Sequence, residues 1–121
     1  MWERIADVIN EGKKFIITTH LFSEGDAIGS ELALKRFLCD LNKEAVIVNN
    51  ELLPPVYGCF DPDKDVKFLK SKDVNTNLND FDAIFMVDVA DWGQLGDFAD
   101  MIKASRITKI CIDHHPTNPG F

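Results

Sequence analysis

The chain has 121 residues, 45% of them hydrophobic, a length that suits one domain with a core of ordinary size. Its 13 basic residues are outweighed by 20 acidic ones, for a formal net charge of −7, which argues against a broad electrostatic surface for long nucleic acid, so any phosphate ligand must be held locally. Cys39, Cys59 and Cys111 are odd in number and lack CxxC or zinc-finger spacing, which argues against a disulfide framework or a structural zinc site and fits reduced thiols in a cytoplasm.

The opening MWERIADVINEGKK lacks the unbroken apolar stretch of a signal peptide, and no run approaches the roughly 20 apolar residues that span a bilayer. A soluble, cytoplasmic protein without a membrane partner is expected. Trp2, Ile5, Ala6, Val8 and Ile9 recur at helical spacing ahead of Gly12, predicting a short amphipathic helix over residues 2–11 with a glycine C-cap. Phe15-Ile16-Ile17-Thr18-Thr19 is a nearly continuous apolar, β-branched run of the kind covered on both faces of a sheet, and it stops at His20. After a loop from Leu21 to Asp26, the stripe Ile28, Leu32, Phe37, Leu38 and Leu41 predicts a helix from Ala27 to Asn42, followed by a strand over Ala45-Val46-Ile47-Val48.

Residues 50–80 are the hardest to read, because Pro54, Pro55, Gly58 and Pro62 break any period and Asn75, Asn77 and Asn79 mark turns. A short helix near Lys64 to Lys70 is expected there. Ala83 to Val87 then makes a buried strand ending at Asp88; Leu95, Phe98, Ala99 and Ile102 stripe the next helix; and Ile107 to Ile112 is a last strand ending at Asp113. No repeat, low-complexity tract or linker divides the chain. Strands alternating with helices imply an α/β, Rossmann-like three-layer sandwich with a mainly parallel sheet and helices on both faces.

Three of the predicted strands stop at groups able to ligate a metal: His20, Asp88 and the run Asp113-His114-His115. Open α/β sheets place their sites at those carboxyl ends. All three histidines of the chain belong to this set, and the loop after the first strand adds Glu24 and Asp26. Carboxylates gathered so closely would repel one another and raise each other's pKa unless cations sat between them. Imidazoles with carboxylates and no thiolate suit manganese or a similar hard-to-borderline divalent ion. A lone Asp or His at a strand end is ordinarily a turn or capping residue. Such residues at three strand ends, in this chain order, are hard to obtain from turn propensity alone.

These residues resemble the DHH phosphoesterase family, which includes RecJ-like exonucleases, nano-RNA phosphodiesterases and manganese pyrophosphatases. The family's first motif, His-x-x-Pro-Asp-x-Asp-Ala-x-Gly-Ser, is similar to His20-Leu21-Phe22-Ser23-Glu24-Gly25-Asp26-Ala27-Ile28-Gly29-Ser30, with Ser23 in place of proline and Glu24 in place of aspartate. The second, a strand-terminal Asp followed by Leu-Gly, is matched by Asp88 and Leu95-Gly96, with Gln94 where many members carry arginine. The third is matched by Asp113-His114-His115-Pro116-Thr117-Asn118. The resemblance covers essentially the whole chain and is closest to short members that cleave tiny oligonucleotides or dephosphorylate 3′-phosphoadenosine 5′-phosphate.

The resemblance implies two manganese ions, with magnesium an alternative: one held by His20, the Glu24 position and Asp88, the other by Asp26, Asp88 and His114. Asp88 bridges them. Asp113 would support the ligands, His115 would serve as hydrogen-bond donor or leaving-group acid, and Asp91 is a weaker candidate. Gly29 and Ser30, at the start of a helix, would help hold the phosphate of a short oligonucleotide or small nucleotide. Water activated between the metals would hydrolyse the ester. The resemblance also implies that the chain is truncated before a fourth acidic motif and the family's C-terminal domain, leaving a sheet edge through which a homo-oligomer could form. Two other readings exist: an inactive nucleotide-binding or regulatory module of the same fold, and a plain Rossmann-like cofactor domain, which the missing GxGxxG disfavours.

Overall fold

The run of apolar residues from Phe15 to Ile17 shows no alternation because its strand, β1 (Lys14–Thr18), lies at the centre of a five-stranded sheet covered on both faces. The structure, a computed structural model, describes residues 1–116. The other strands are β2 (Glu44–Asn49), β3 (Val66–Phe68), β4 (Ala83–Val87) and β5 (Thr108–Ile112), in the spatial order β3-β2-β1-β4-β5. Every pairing is parallel. The chain therefore steps outward from β1 to β2 and β3, then returns to lay β4 against the other side of β1. The boundary between β1 and β4 is the topological switch point, where an open α/β sheet forms its crevice.

Helices α1 (Trp2–Glu11) and α2 (Gly25–Asp40) cover one face, on which Ile9 and Leu38 pack with Phe15, Ile17, Ile47 and Phe85. The Phe15 and Phe85 rings meet edge to face, with centroids 5.8 Å apart. Helix α3 (Asp97–Ala104) covers the other face, where Phe98 and Ile102 pack with Ile16, Val48 and Ile84. Strand side chains alternate between the two faces, so β1 sends Phe15 and Ile17 one way and Ile16 the other. The expected three-layer α/β architecture is the one observed. Among the described residues no helix is long and apolar enough to cross a membrane.

Local differences have identifiable causes. The helix expected near Lys64 to Lys70 is instead strand β3, which extends the sheet beside β2 through Ile47↔Val66. The buried Asp61 carboxylate accepts the N–H groups of Asp65 at 2.7 Å and Val66 at 2.9 Å, so the segment enters the sheet already anchored. Pairing along an open strand edge outweighs the helix propensity of a seven-residue stretch, too short to nucleate alone. Gly12 ends α1 in extended backbone (φ −75°, ψ 161°), not in a left-handed cap. Glycine is needed there for space, since a Cβ would lie 2.6 Å from the Phe15 ring and 2.8 Å from the Val8 carbonyl oxygen. Helix α2 begins at Gly25, before the expected Ala27, which places Asp26 in its first turn.

Candidate metal centre

Strands β1 and β4 run in register, Thr18 beside Met86, so the residues just beyond them leave the sheet side by side. Those residues include His20 and Asp88. Strand β5 pairs with β4 up to Val87↔Ile112, and the Asp88 N–H donates to the Ile112 carbonyl at 2.8 Å, which brings residues 113–115 to the same edge. Asp88 adopts a positive φ of 56°, uncommon for any residue but glycine and worth about 1–3 kcal/mol of strain. That turn keeps the bond to β5 while the chain leaves the sheet, and the Asp88 side chain stays buried.

Around Asp88 the histidines converge. His20 Nε2 lies 3.5 Å from Asp88 Oδ2, His114 Nε2 lies 3.1 Å from Asp88 Oδ1, and His115 Nδ1 lies 3.6 Å from the same oxygen. One ligand atom from each of Asp88, Asp113, His114 and His115 falls within 4.8 Å of the others. The hydrogen bonds divide this group. His115 Nδ1 donates to Asp113 Oδ1 at 2.6 Å, which uses that nitrogen for its carboxylate partner. His20 Nδ1 lies 2.6 Å from the Leu21 carbonyl oxygen, which can only accept, so a proton sits on Nδ1 and Nε2 is the nitrogen turned to Asp88, with its lone pair available in the singly protonated ring. A lone pair facing a carboxylate oxygen is a repulsive arrangement without a cation or an added proton.

The donor set fits a divalent cation, and one observation tests the fit directly. Asp88 Oδ1 is buried and makes no hydrogen bond, although His114 Nε2 stands 3.1 Å away, a costly state for a carboxylate oxygen unless a cation, a metal ion or a protonated imidazole, faces it. Oxygen and imidazole donors suit a hard-to-borderline ion.

Facing this group across a cavity of about 650 Å³ is the start of α2, with Asp26, Ser30 and Leu34 on one side and Asp88, Asp113 and His114 on the other. Asp26 Oδ1 accepts the Ala27 N–H at 2.9 Å, and the Ser30 hydroxyl donates to the Asp26 carbonyl at 2.8 Å. Glu24 is the N-cap of α2, exposed and without a side-chain cap bond, and Gly29 is exposed with open space where a Cβ would project. Neither belongs to the group around Asp88. Asp91 caps a 3-10 turn (Trp92–Leu95) by accepting the Gln94 N–H. Thr117 and Asn118, the end of the third motif, lie outside the described residues.

The Asp113–His115 pair has its own electrostatics. The hydrogen bond to Asp113 raises the His115 pKa above the usual histidine value, against a smaller opposing effect of desolvation, with the charges of Asp113, Asp88 and Asp26 adding to the rise. For Asp113, burial pushes the pKa upward, but the bonds from the His115 side chain and from the backbone N–H groups of His115 and His114 together outweigh it and hold the carboxyl below its ordinary value.

Several residues order this edge through contacts that the chain's spacing does not reveal. Gln94 accepts the Ala90 N–H at 2.7 Å through its side chain and the Leu21 N–H at 2.7 Å through its carbonyl, tying the second motif to the first loop. Gly96 has φ 54°, and a Cβ there would run into the Asn50 side-chain amide, which explains the glycine after Leu95. Asn49 and Glu31 are both buried and bonded to each other at 2.9 Å. Asn49 carried a usable signal, a polar residue ending an apolar strand, as His20 and Asp88 do. Glu31 did too, falling three residues after Ile28 on the buried stripe of its helix.

Residues 14–121 match the DHH family, N-terminal domain. The chain is 32% identical over 132 aligned residues to the bifunctional oligoribonuclease and PAP phosphatase NrnA of Thermus thermophilus, across 99% of this chain and 35% of that protein. It thus spans about a third of the length of the curated relative it matches. An exopolyphosphatase-related protein from Bacteroides fragilis shares the fold at a TM-score of 0.87 and 24% identity, over 97% of this chain and 35% of that one.

Proposed function

This chain belongs to the DHH family, and on that premise we propose that it is the metal-binding part of a divalent-metal-dependent phosphoesterase acting on short oligonucleotides or small nucleotides. The observation that carries the reading is the buried Asp88 carboxylate, which meets His20 Nε2 through Oδ2 at 3.5 Å and His114 Nε2 through Oδ1 at 3.1 Å, with no hydrogen bond made to Oδ1. The Thermus relative, an oligoribonuclease and PAP phosphatase by name, supports the substrate class.

In this reading His20, Glu24 and Asp88 would hold one cation, and Asp26, Asp88 and His114 another. Manganese is the expected ion, with magnesium the alternative. When bound, divalent ions there would supply charge neutralisation for phosphoryl oxygens and lower the pKa of a water. The chain's own groups do the rest. Ser30 and Gly29, in the second turn of the 16-residue α2, would lie beside substrate phosphate, with Ser30 on the cavity wall opposite Asp88. Asp113 holds the His115 Nδ1 proton, leaving Nε2–H of the protonated ring to give its proton to the departing oxygen. The raised pKa of His115 keeps that proton available closer to neutral pH. Exposed, free Cys39, Cys59 and Cys111 suit a reducing cytoplasm.

Manganese-dependent hydrolysis of a dinucleotide and of 3′-phosphoadenosine 5′-phosphate tests the proposal. Activity is expected in a protein that carries the fourth acidic motif and C-terminal domain together with this chain, and little in the 121 residues alone. Full activity of the 121 residues would overturn the view that the site needs those parts. Inactivity of both forms would favour a regulatory module instead.

Glu24 gives the regulatory reading its one specific support, because it replaces the family's aspartate and sits exposed at the N-cap of α2. Its side chain is one methylene longer, about 1.5 Å of extra reach, so the first cation should be held more weakly. Glu24→Asp is therefore expected to raise manganese occupancy beside His20, read by anomalous diffraction. Unchanged or lower occupancy would remove Glu24 from the ligand set.

A further inference from the structure

We propose that Asn49, oriented by the buried Glu31, acts with Thr19 as a positioning network that sets the separation of His20 and Asp88 and hence the strength of cation binding. The inference rests on reading those two residues as metal ligands.

Strands β2, β1 and β4 are neighbours, and the network crosses all three one residue short of the ligands. The Asn49 carbonyl oxygen accepts the Thr19 N–H at 3.3 Å and the Thr18 hydroxyl at 3.5 Å. The Thr19 hydroxyl donates to the Val87 carbonyl at 2.7 Å. Thr19 immediately precedes His20, and Val87 immediately precedes Asp88. The pairing of β1 with β4 ends at Thr18↔Met86. Beyond that pair the two chain segments are joined by the Thr19 hydroxyl, and on the other side the Asn49 amide holds β1 to β2. The relative height of His20 and Asp88 thus depends on side-chain bonds where the ladder has stopped.

Glu31 determines which way Asn49 faces. An asparagine amide has two nearly isosteric orientations, and only one turns its oxygen to the Thr19 N–H. The Asn49 Nδ2 group donates to Glu31 Oε2 at 2.9 Å, which selects that orientation. Glu31 is 0% exposed, and its other oxygen, Oε1, has no partner. An apolar residue would fill the position without that penalty, so the carboxyl is explained by what it holds.

The test is manganese affinity by calorimetry, with each variant measured well below its own melting temperature. Asn49→Ala and Thr19→Val are each expected to weaken binding about tenfold or more, the usual effect of removing a group that orients a ligand. Glu31→Gln, whose amide oxygen accepts the same hydrogen, should bind like the parent, whereas Glu31→Leu should bind like Asn49→Ala. A purely structural role would lower the melting temperatures and leave the affinities equal to the parent's. If the parent binds manganese and Asn49→Ala and Thr19→Val bind as tightly, the positioning role is overturned while the ligand reading stands. If the parent takes up no manganese, the ligand reading fails and the network's role fails with it. Should Asn49→Ala not fold, Thr19→Val, which keeps side-chain volume, decides the outcome alone. Loss of affinity in Glu31→Gln equal to that in Glu31→Leu would overturn the part assigned to Glu31.

Discussion

Asp88→Ala is expected to remove nearly all manganese binding, a loss of more than about 100-fold, because both proposed cations share this carboxylate and removing a direct ligand should cost more than the 10–100-fold typical of a supporting group. The geometry makes Asp88 the focus, with His20 Nε2 at 3.5 Å from one oxygen and His114 Nε2 at 3.1 Å from the other. Alanine also disfavours the left-handed backbone that Asp88 adopts at φ 56°, so a second variant separates binding from folding. Asp88→Asn tolerates that conformation and keeps the side-chain shape, yet lacks the charge. It too should lose manganese, while the metal-free protein keeps or gains thermal stability because the buried negative charge, whose Oδ1 makes no hydrogen bond, is gone. Calorimetry at neutral pH reads the first result and thermal unfolding in chelator the second. Parent-like affinity in both variants would sink the shared-ligand assignment.

The metal-free protein is expected to lose stability as pH rises from about 5 to 8, through Glu31. Burial pushes the Glu31 pKa up from 4.5 to about 8, with the Asn49 hydrogen bond opposing the shift and the charge of Asp61 adding to it. Between those values the folded state keeps a proton that the unfolded state has released, so the unfolded state binds fewer protons and stability falls with pH. The contribution is fully present below pH 4.5 and is lost as pH passes through the folded value of about 8. At roughly 1.4 kcal/mol per pH unit, about 3 kcal/mol of it is gone by pH 7. Glu31→Gln has nothing to titrate there. The difference in unfolding free energy between variant and parent should grow across the window, measured by urea unfolding at several pH values. Parallel profiles would show that Glu31 ionises normally and that water reaches its carboxyl.

The sequence by itself determined the parts of this protein that local pattern encodes. β1 and β4 are readable because a strand covered on both faces must be apolar at successive positions, and their ends are readable because His20 and Asp88 interrupt those runs. The same logic marked Asp113 to His115 and placed the candidate ligands at one edge, since parallel strands all end on the same side of a sheet. Helix periods found α1, α2 and α3 to within a few residues.

Only the tertiary structure decided which of these groups meet, and how. Asp113 pairs with His115 while His114 turns to Asp88, a division among adjacent residues that no spacing in the chain specifies. Strand β3 exists because β2 offers it an edge, which its own seven-residue neighbourhood does not reveal. The bonds from Glu31 to Asn49 and from Thr19 to Val87 depend on β2, β1 and β4 lying side by side, in an order that departs from their order in the chain. Periodicity reports which face of an element is buried and says nothing of what lies across from it, so contacts between distant segments emerge only when the sheet is assembled.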